Sequence, residues 1–312
     1  MIWFWIVLFL FLFFFLIPTF CMSVALYRVI LVRTKPKKWG RECSMPDDPI
    51  QAEMFEKGLL WAKENESAKK EVSVQSDGLR LCGEYFDFGS DKAVIIIPGR
   101  MESLLYSYFF AKPYKDSGYN VLVIDNRAHG LSEGKHSTLG FKEKNDILAW
   151  GKLLHSRFSV KEIVLHGICI GASTGLFALT DPDCPDYFTA FVAEGMYTTF
   201  YHTFVNHMKS GKHPPFPFAL ETMLISSLFS GKNAVTEGPV KQIEKLKKPA
   251  LFLHSRKDEF SLPDASEEMY ARCGSEHETV WFEEGAHSRL RITDPERYDG
   301  AIRSFLERRN AE

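Results

Sequence analysis

The stretch of this chain best suited to chemistry is Gly167-Ile-Cys169-Ile-Gly171. It puts a cysteine between two glycines, after the apolar run Lys161-Glu-Ile-Val-Leu-His-Gly167 and before the helix-like run Ser173 to Leu179. That is a G-x-C-x-G form of the G-x-S-x-G turn, which passes sharply from strand to helix and presents one side chain at the top of a sheet. Glycine suits the flanks because the backbone there approaches itself so closely that a Cβ would clash. The helix N-terminus beside the sulfur favours a thiolate. Cys169 reads as an acyl-transfer nucleophile with sulfur in place of oxygen.

A nucleophile needs a base, and the base needs an orienting group. Of ten histidines, His287 follows the last apolar strand in the loop Glu283-Glu-Gly-Ala-His287-Ser-Arg289 and is the expected base. His129, His166 and His254 also fall at strand ends and read as structural. Asp258, just past Ala250-Leu-Phe-Leu-His254, is the expected acid, with Glu259 its neighbouring competitor. The order nucleophile, acid, histidine along the chain fits this assignment.

Charge developing on a carbonyl oxygen must meet donors already in place. The N–H of Ile170 should supply one, and the N–H of Arg100, in the loop after Val94-Ile-Ile-Ile-Pro98, the other, with Met101 in reserve. The Arg100 side chain is free to bind an anion or to pair with Glu102 or Asp125. A second G-x-S-x-G, Gly171-Ala-Ser173-Thr-Gly175, overlaps the first and makes Ser173 the alternative nucleophile. One helical turn past the bend, its hydroxyl is expected to bond a carbonyl of its own helix.

These residues need a scaffold of alternating strands and helices. Glu71 to Gln75 and Leu79 to Phe88 read as a hairpin about Asp77-Gly78. Buried strands follow at Lys92–Pro98, Tyr119–Asp125, Lys161–Gly167, Thr189–Ala193, Ala250–Ser255 and Glu278–Glu283, and helices at Tyr106–Gly118, Phe141–Ser156 and Asp294–Arg308. Alternation of this kind gives an α/β fold with a mostly parallel sheet whose ligand sites lie at the carboxyl ends of its strands. Between Met196 and Lys248 the rhythm breaks into an aromatic-rich stretch that includes Tyr197, Phe200, Tyr201, Phe204, Phe216, Phe218 and Leu224. This reads as a helical cap, about 197–248, with Ser210–Pro217 as a loop in it. The aromatics either receive an acyl chain or glue the cap to the core.

The N-terminus is different. No residue from Met1 to Tyr27 is charged, and Trp3 to Phe15 is almost wholly aromatic or aliphatic. That is long enough to span a hydrocarbon core, which takes about 20 apolar residues. A signal peptide would have a basic start, a shorter apolar core and a small-residue cleavage site. Residues 1–27 are therefore expected to be an uncleaved single-pass anchor in the cell membrane. Arg28, Arg33, Lys35, Lys37, Lys38 and Arg41 crowd its C-terminal flank, and the positive-inside rule puts the following domain in the cytoplasm. Residues 28–70 read as a basic juxtamembrane linker and an amphipathic helix. That helix starts at Asp48-Pro49, ends near Asn65 and carries Ile50, Met54, Leu59 and Ala62 near one face. Residues 71–312 form the catalytic domain.

The 312 residues, 45% of them hydrophobic, carry a net charge of −2, and no basic stretch is joined to an aromatic nucleic-acid-reading motif, so no nucleic-acid partner is expected. The six cysteines show no paired spacing and read as free thiols, and no C-x-x-C argues for zinc.

Taken together, these motifs resemble the α/β-hydrolase fold family over about residues 71 to 310. Asp125-Asn-Arg-Ala-His-Gly-Leu-Ser132 is similar to the family's D-x-R-G-H-G-x-S turn, with Ala128 at a usual glycine. Pro98-Gly-Arg-Met-Glu-Ser103 resembles the P-G-R-x-E-S segment of bacterial lysophospholipases, and Gly171-Ala-Ser-Thr resembles membrane-tethered bacterial α/β-hydrolases with a serine elbow. Dienelactone hydrolases also carry G-x-C-x-G. The resemblance implies hydrolysis of a carboxylic ester, with a lysophospholipid or monoacyl lipid among the candidate substrates; the cysteine also suits a thioester, and the expected mechanism needs no metal or organic cofactor. A thiolate leaves more readily than an alkoxide, so a plain ester's tetrahedral adduct can collapse backward. The alternative reading is a scaffold of the same fold that has lost catalysis and binds a lipid or protein partner.

Overall fold

The computed structural model describes residues 1–310. Its chain opens with helix α1 (Ile2–Leu31), which runs one turn past the expected end at Tyr27. The N-terminal two-thirds is largely exposed and apolar, long enough to cross a membrane. Ser23, Tyr27 and Leu31 in the last third are buried against the body of the protein. Helix α2 (Pro49–Glu64) follows, with proline in its first turn and the Asp48 carboxylate accepting the N–H groups of Ile50 and Gln51. Its buried face is Gln51, Met54, Gly58, Trp61 and Ala62, so Ile50 and Leu59 do not belong to it. Trp61 packs on Phe86 of the sheet.

The basic stretch expected as a linker lies instead on the domain. Arg33 donates to the carbonyls of Ser132 and Gly130. Trp39 stacks on His129, and Arg41 bridges Glu84 and Asp125.

Strands β1 (Lys69–Ser76) and β2 (Leu79–Phe86) make the hairpin about Asp77 and Gly78, both with positive φ. Then come β3 (Lys92–Ile97), β4 (Asn120–Ile124), helix α3 (Glu143–Phe158), β5 (Glu162–Ile168) and helix α4 (Ile170–Leu179). After β6 (Phe188–Glu194), helices α5 (Phe200–Ser210) and α6 (Phe218–Ser230) occupy the region expected as a cap. The chain ends with β7 (Ala250–Ser255), α7 (Pro263–Tyr270), β8 (His277–Phe282) and α8 (Pro295–Asn310).

Among the described residues eight strands form one sheet in the order β1-β2-β4-β3-β5-β6-β7-β8. The β1–β2 and β2–β4 pairs are antiparallel and the rest parallel. Both faces of the sheet are covered, which accounts for the near-continuous apolar runs in β3, β4 and β5. The expected helix at Tyr106–Gly118 is instead three short turns, Leu104–Ser107, Tyr108–Phe110 and Lys112–Asp116. Pro113 has no N–H to give and its ring crowds the preceding turn, so a single helix cannot pass through it.

Helix α6 is tied to α1. Glu221 accepts from Thr19 Oγ1 at 3.1 Å and Ser23 Oγ at 2.7 Å, and Phe229 stacks on Tyr27. Helix α6 and the C-terminal half of α1 are therefore packed together.

Candidate active site

Cys169 lies between the last residue of β5 and the first of α4, with φ 54° and ψ −111°. A non-glycine residue rarely adopts that conformation, and holding it costs about 1–3 kcal/mol. The flanking glycines make it attainable. A Cβ on Gly167 would overlap the backbone of Gly171 and Ala172, and one on Gly171 would overlap the carbonyl oxygen of Ile97. The elbow thus wedges against the end of β3, whose following loop carries Arg100.

His287 and Asp258 come from the loops after β8 and β7. Their bond, His287 Nδ1 to Asp258 Oδ2, is 2.7 Å long. A second carboxylate oxygen, Asp258 Oδ1, accepts the N–H groups of Phe260 and Ser261, which locks its orientation. The imidazole lines the same cavity as Cys169. Phe260 packs edge-on against the ring, with centroids 5.6 Å apart. Burial disfavours a charged imidazolium, but the charges of Asp258 and Cys169 and their hydrogen bonds outweigh it and hold His287 well above its ordinary value. Burial would likewise raise Asp258, yet the charge and hydrogen bond of His287 keep it below the usual carboxylate value.

Cys169 and His287 open on a cavity of about 450 Å³ that also exposes Arg100, Met101, Phe200 and Phe204. Among the described residues the N–H groups of Ile170 and Arg100 donate to no other group. Met101, the reserve donor, has a φ of 70°, which marks the loop as sharply turned.

Ser173 is fully buried and shut off from this cavity. The expected bond to a carbonyl of its own helix is absent. Its hydroxyl faces that of Tyr197, and neither finds a partner of good geometry. Thr174 is the residue that bonds back, to the Ile170 carbonyl at 2.9 Å.

The three other histidines at strand ends have structural partners. His254 is held between the Tyr270 hydroxyl at 2.9 Å and the Ser261 carbonyl at 2.8 Å. His166 meets the Tyr298 hydroxyl, and burial lowers its pKa to about 3. His129 meets the Arg127 carbonyl, and burial lowers its pKa to about 4. Asp125 is a buried brace: it accepts the N–H groups of Leu104 and Leu131, and a Cβ on Gly130 would collide with its carboxylate. Of the residues singled out in this stretch, Phe200 and Phe204 line the cavity and Tyr197 is buried, whereas Phe216 and Leu224 face outward.

Two further carboxylates lie near the site: Glu102, read from the sequence only as a partner for Arg100, and Glu194, which the sequence reading missed. Glu102 lines the cavity and accepts from the Gly99 N–H at 2.9 Å and the Gln51 amide at 3.1 Å. Burial pushes its pKa up. Glu194, at the end of β6, takes the Cys169 N–H on its backbone carbonyl and the Tyr298 hydroxyl on its carboxylate. Full burial raises it to about 7. Its place at the carboxyl end of a strand was the available signal, hidden because the strand reads as ending at Ala193.

Residues 92–215 match the family model described as the alpha/beta hydrolase fold. An esterase of Pyrococcus furiosus superposes with a TM-score of 0.66 at 27% identity, over 79% of this chain and 93% of the other. The chain has the α/β-hydrolase fold. Among curated relatives, it is 26% identical to the YqkD protein of Bacillus subtilis, over 70% of the chain and 72% of the relative. It is 28% identical to protein bem46 of Schizosaccharomyces pombe, over 52% of the chain and 49% of that relative.

Proposed function

We propose that this protein is a membrane-anchored acyl hydrolase that cleaves a carboxylic ester or thioester through Cys169, His287 and Asp258. The observation that carries the reading is the 2.7 Å bond from Asp258 to His287, whose ring lines the same apolar-walled cavity as Cys169. The likeness to an esterase of the same fold supports the reaction class.

In this reading the Cys169 thiolate attacks the carbonyl carbon, forming a C–S bond while the carbonyl electrons move onto oxygen. The N–H groups of Ile170 and Arg100 receive that oxyanion, an interaction worth about 3 kcal/mol per donor in acyl transfer. The His287 imidazolium then protonates the departing alkoxide or thiolate, leaving an acyl-thioester enzyme. His287, now neutral, takes a proton from water, whose oxygen attacks the thioester and releases the acid. Asp258 holds the ring in the tautomer that both steps need. Phe200 and Phe204 offer the acyl chain an apolar wall, which suits a monoacyl lipid.

Helix α1 serves as the single membrane span, with the domain on the cytoplasmic side. Its apolar length and the cations after it support that placement.

The deciding experiment is alkylation of the full chain in detergent. Iodoacetamide should modify Cys169 much faster than the half-buried Cys184, and His287→Ala should remove the difference. Equal rates at the two cysteines would favour a non-catalytic scaffold.

A further inference from the structure

Arg100 differs from the other arginines around the site. Arg41 is paired with Glu84 and Asp125, Arg127 with Asp146, Arg289 with Asp48, and Arg291 with Asp299. Among the described residues Arg100 has no carboxylate within 4.0 Å, and its one hydrogen bond runs from Nη1 to the Met101 sulfur. Glu102, the nearest acid in sequence, is turned to the Gly99 N–H and the Gln51 amide instead. The expected pairing with Glu102 or Asp125 is therefore not made.

The guanidinium also stands at a junction. It lines the catalytic cavity together with Cys169, and a neighbouring cavity of about 500 Å³ whose wall includes Lys37, Lys38 and Trp39. His207 lines both cavities as well. Lys37, Lys38 and Arg100 thus share this corner; Glu42 and Glu102 line the same two cavities, but neither pairs with Arg100 within 4.0 Å. A half-buried guanidinium kept without a counter-ion is costly, and its planar fork of donors fits a carboxylate or phosphate.

We infer that the Arg100 side chain is an anion-recognition site for the substrate, so that the esters taken best carry a phosphate or carboxylate near the scissile bond. The inference rests on the hydrolase reading above and adds the substrate class to it. Arg100 also feels the charge of Cys169, and a mere counter-ion to the thiolate would aid every electrophile alike. Anion recognition, by contrast, discriminates by the charge of the incoming molecule.

The first test needs no turnover. Iodoacetate and iodoacetamide are similar in size and differ in charge. Their rates at Cys169 in the full chain, each divided by the rate at N-acetylcysteine, should favour iodoacetate by about tenfold, the scale of one charge-assisted hydrogen bond. Arg100→Gln should abolish the preference and Arg100→Lys should retain most of it. Both reagents slowed equally by Arg100→Gln would make Arg100 a thiolate counter-ion only and overturn the inference. The second test compares kcat/KM within matched pairs. A monoacylglycerol against its 3-phosphate puts the charge on the leaving side, and p-nitrophenyl acetate against mono-p-nitrophenyl succinate puts it on the acyl side. An anionic preference of about tenfold in either pair, lost in Arg100→Gln, supports the inference. No preference in either pair overturns it. Failure to turn over any ester, with the iodoacetate preference intact, would sink the hydrolase reading and leave the anion site standing.

Discussion

His287 Nδ1 sits 2.7 Å from Asp258 Oδ2, across the loops that leave two neighbouring parallel strands, β8 and β7. The partner strands fix the spacing, so the imidazole needs no induced movement to face the elbow. The pair makes the domain's stability depend on pH in a definite direction. His287 is raised above 6.5 in the folded protein, so its contribution is complete below that value and is lost as pH rises through the raised one. Asp258 is lowered below 3.8, so its contribution is present above that value and is lost as pH falls through the lowered one. The urea midpoint of the native chain minus that of His287→Ala should be largest between about pH 4 and 6.5 and shrink toward alkaline pH. A gap that widens from pH 7 to 9 would contradict the assignment.

Nucleophile identity can be read from two alanine substitutions. Cys169→Ala should cut thioester hydrolysis by about 10³-fold or more, since the members of such a triad act as a unit. Ser173→Ala removes a buried hydroxyl without a good partner, so activity should hold within about twofold and the urea midpoint should not fall. The reverse pattern in steady-state rates would make Ser173 the attacking residue.

The elbow glycines should be intolerant of even one carbon. Gly171→Ala drives a Cβ into the Ile97 carbonyl and should destabilise by about 2–4 kcal/mol in urea denaturation. Gly300→Ala, in the middle of α8 with open space around it, should stabilise by about 0.5–1 kcal/mol. If the two shift stability equally, the close approach at the elbow is not what requires glycine.

Arg41 should matter to folding although it precedes the domain in sequence. Its guanidinium bridges Glu84 and the fully buried Asp125. Arg41→Ala leaves that carboxylate without its cation and should cost about 3–5 kcal/mol, the range for breaking a buried pair. Truncation after Met22 should keep a cooperative urea transition, whereas truncation after Cys43 should lower its midpoint sharply. Equal midpoints would return residues 28–43 to the role of a free linker.

The legible parts of the sequence were those governed by local chemistry. The glycine pair around Cys169, the apolar runs of β3 to β7 and the Asp48-Pro49 helix start each follow from rules that span a few residues. A mostly parallel sheet could be expected once those runs alternated with helices, but not the order of its strands. The break at Pro113 was also local, and was missed because the apolar pattern around it is helical on average.

What the sequence determined by itself was the set of chemical groups and the elements bearing them: a cysteine at a glycine-flanked bend, an acid and a histidine past later strands, and an apolar span at the N-terminus. What only the tertiary structure decided was which groups find partners. Arg41 and Arg100 look alike in the sequence, yet one is clasped by two carboxylates and the other by none. Ser173 and Cys169 sit in overlapping motifs, yet one is enclosed and the other opens on the cavity. Partnering and enclosure depend on contacts between segments far apart in the chain, and short-range propensity carries no information about those.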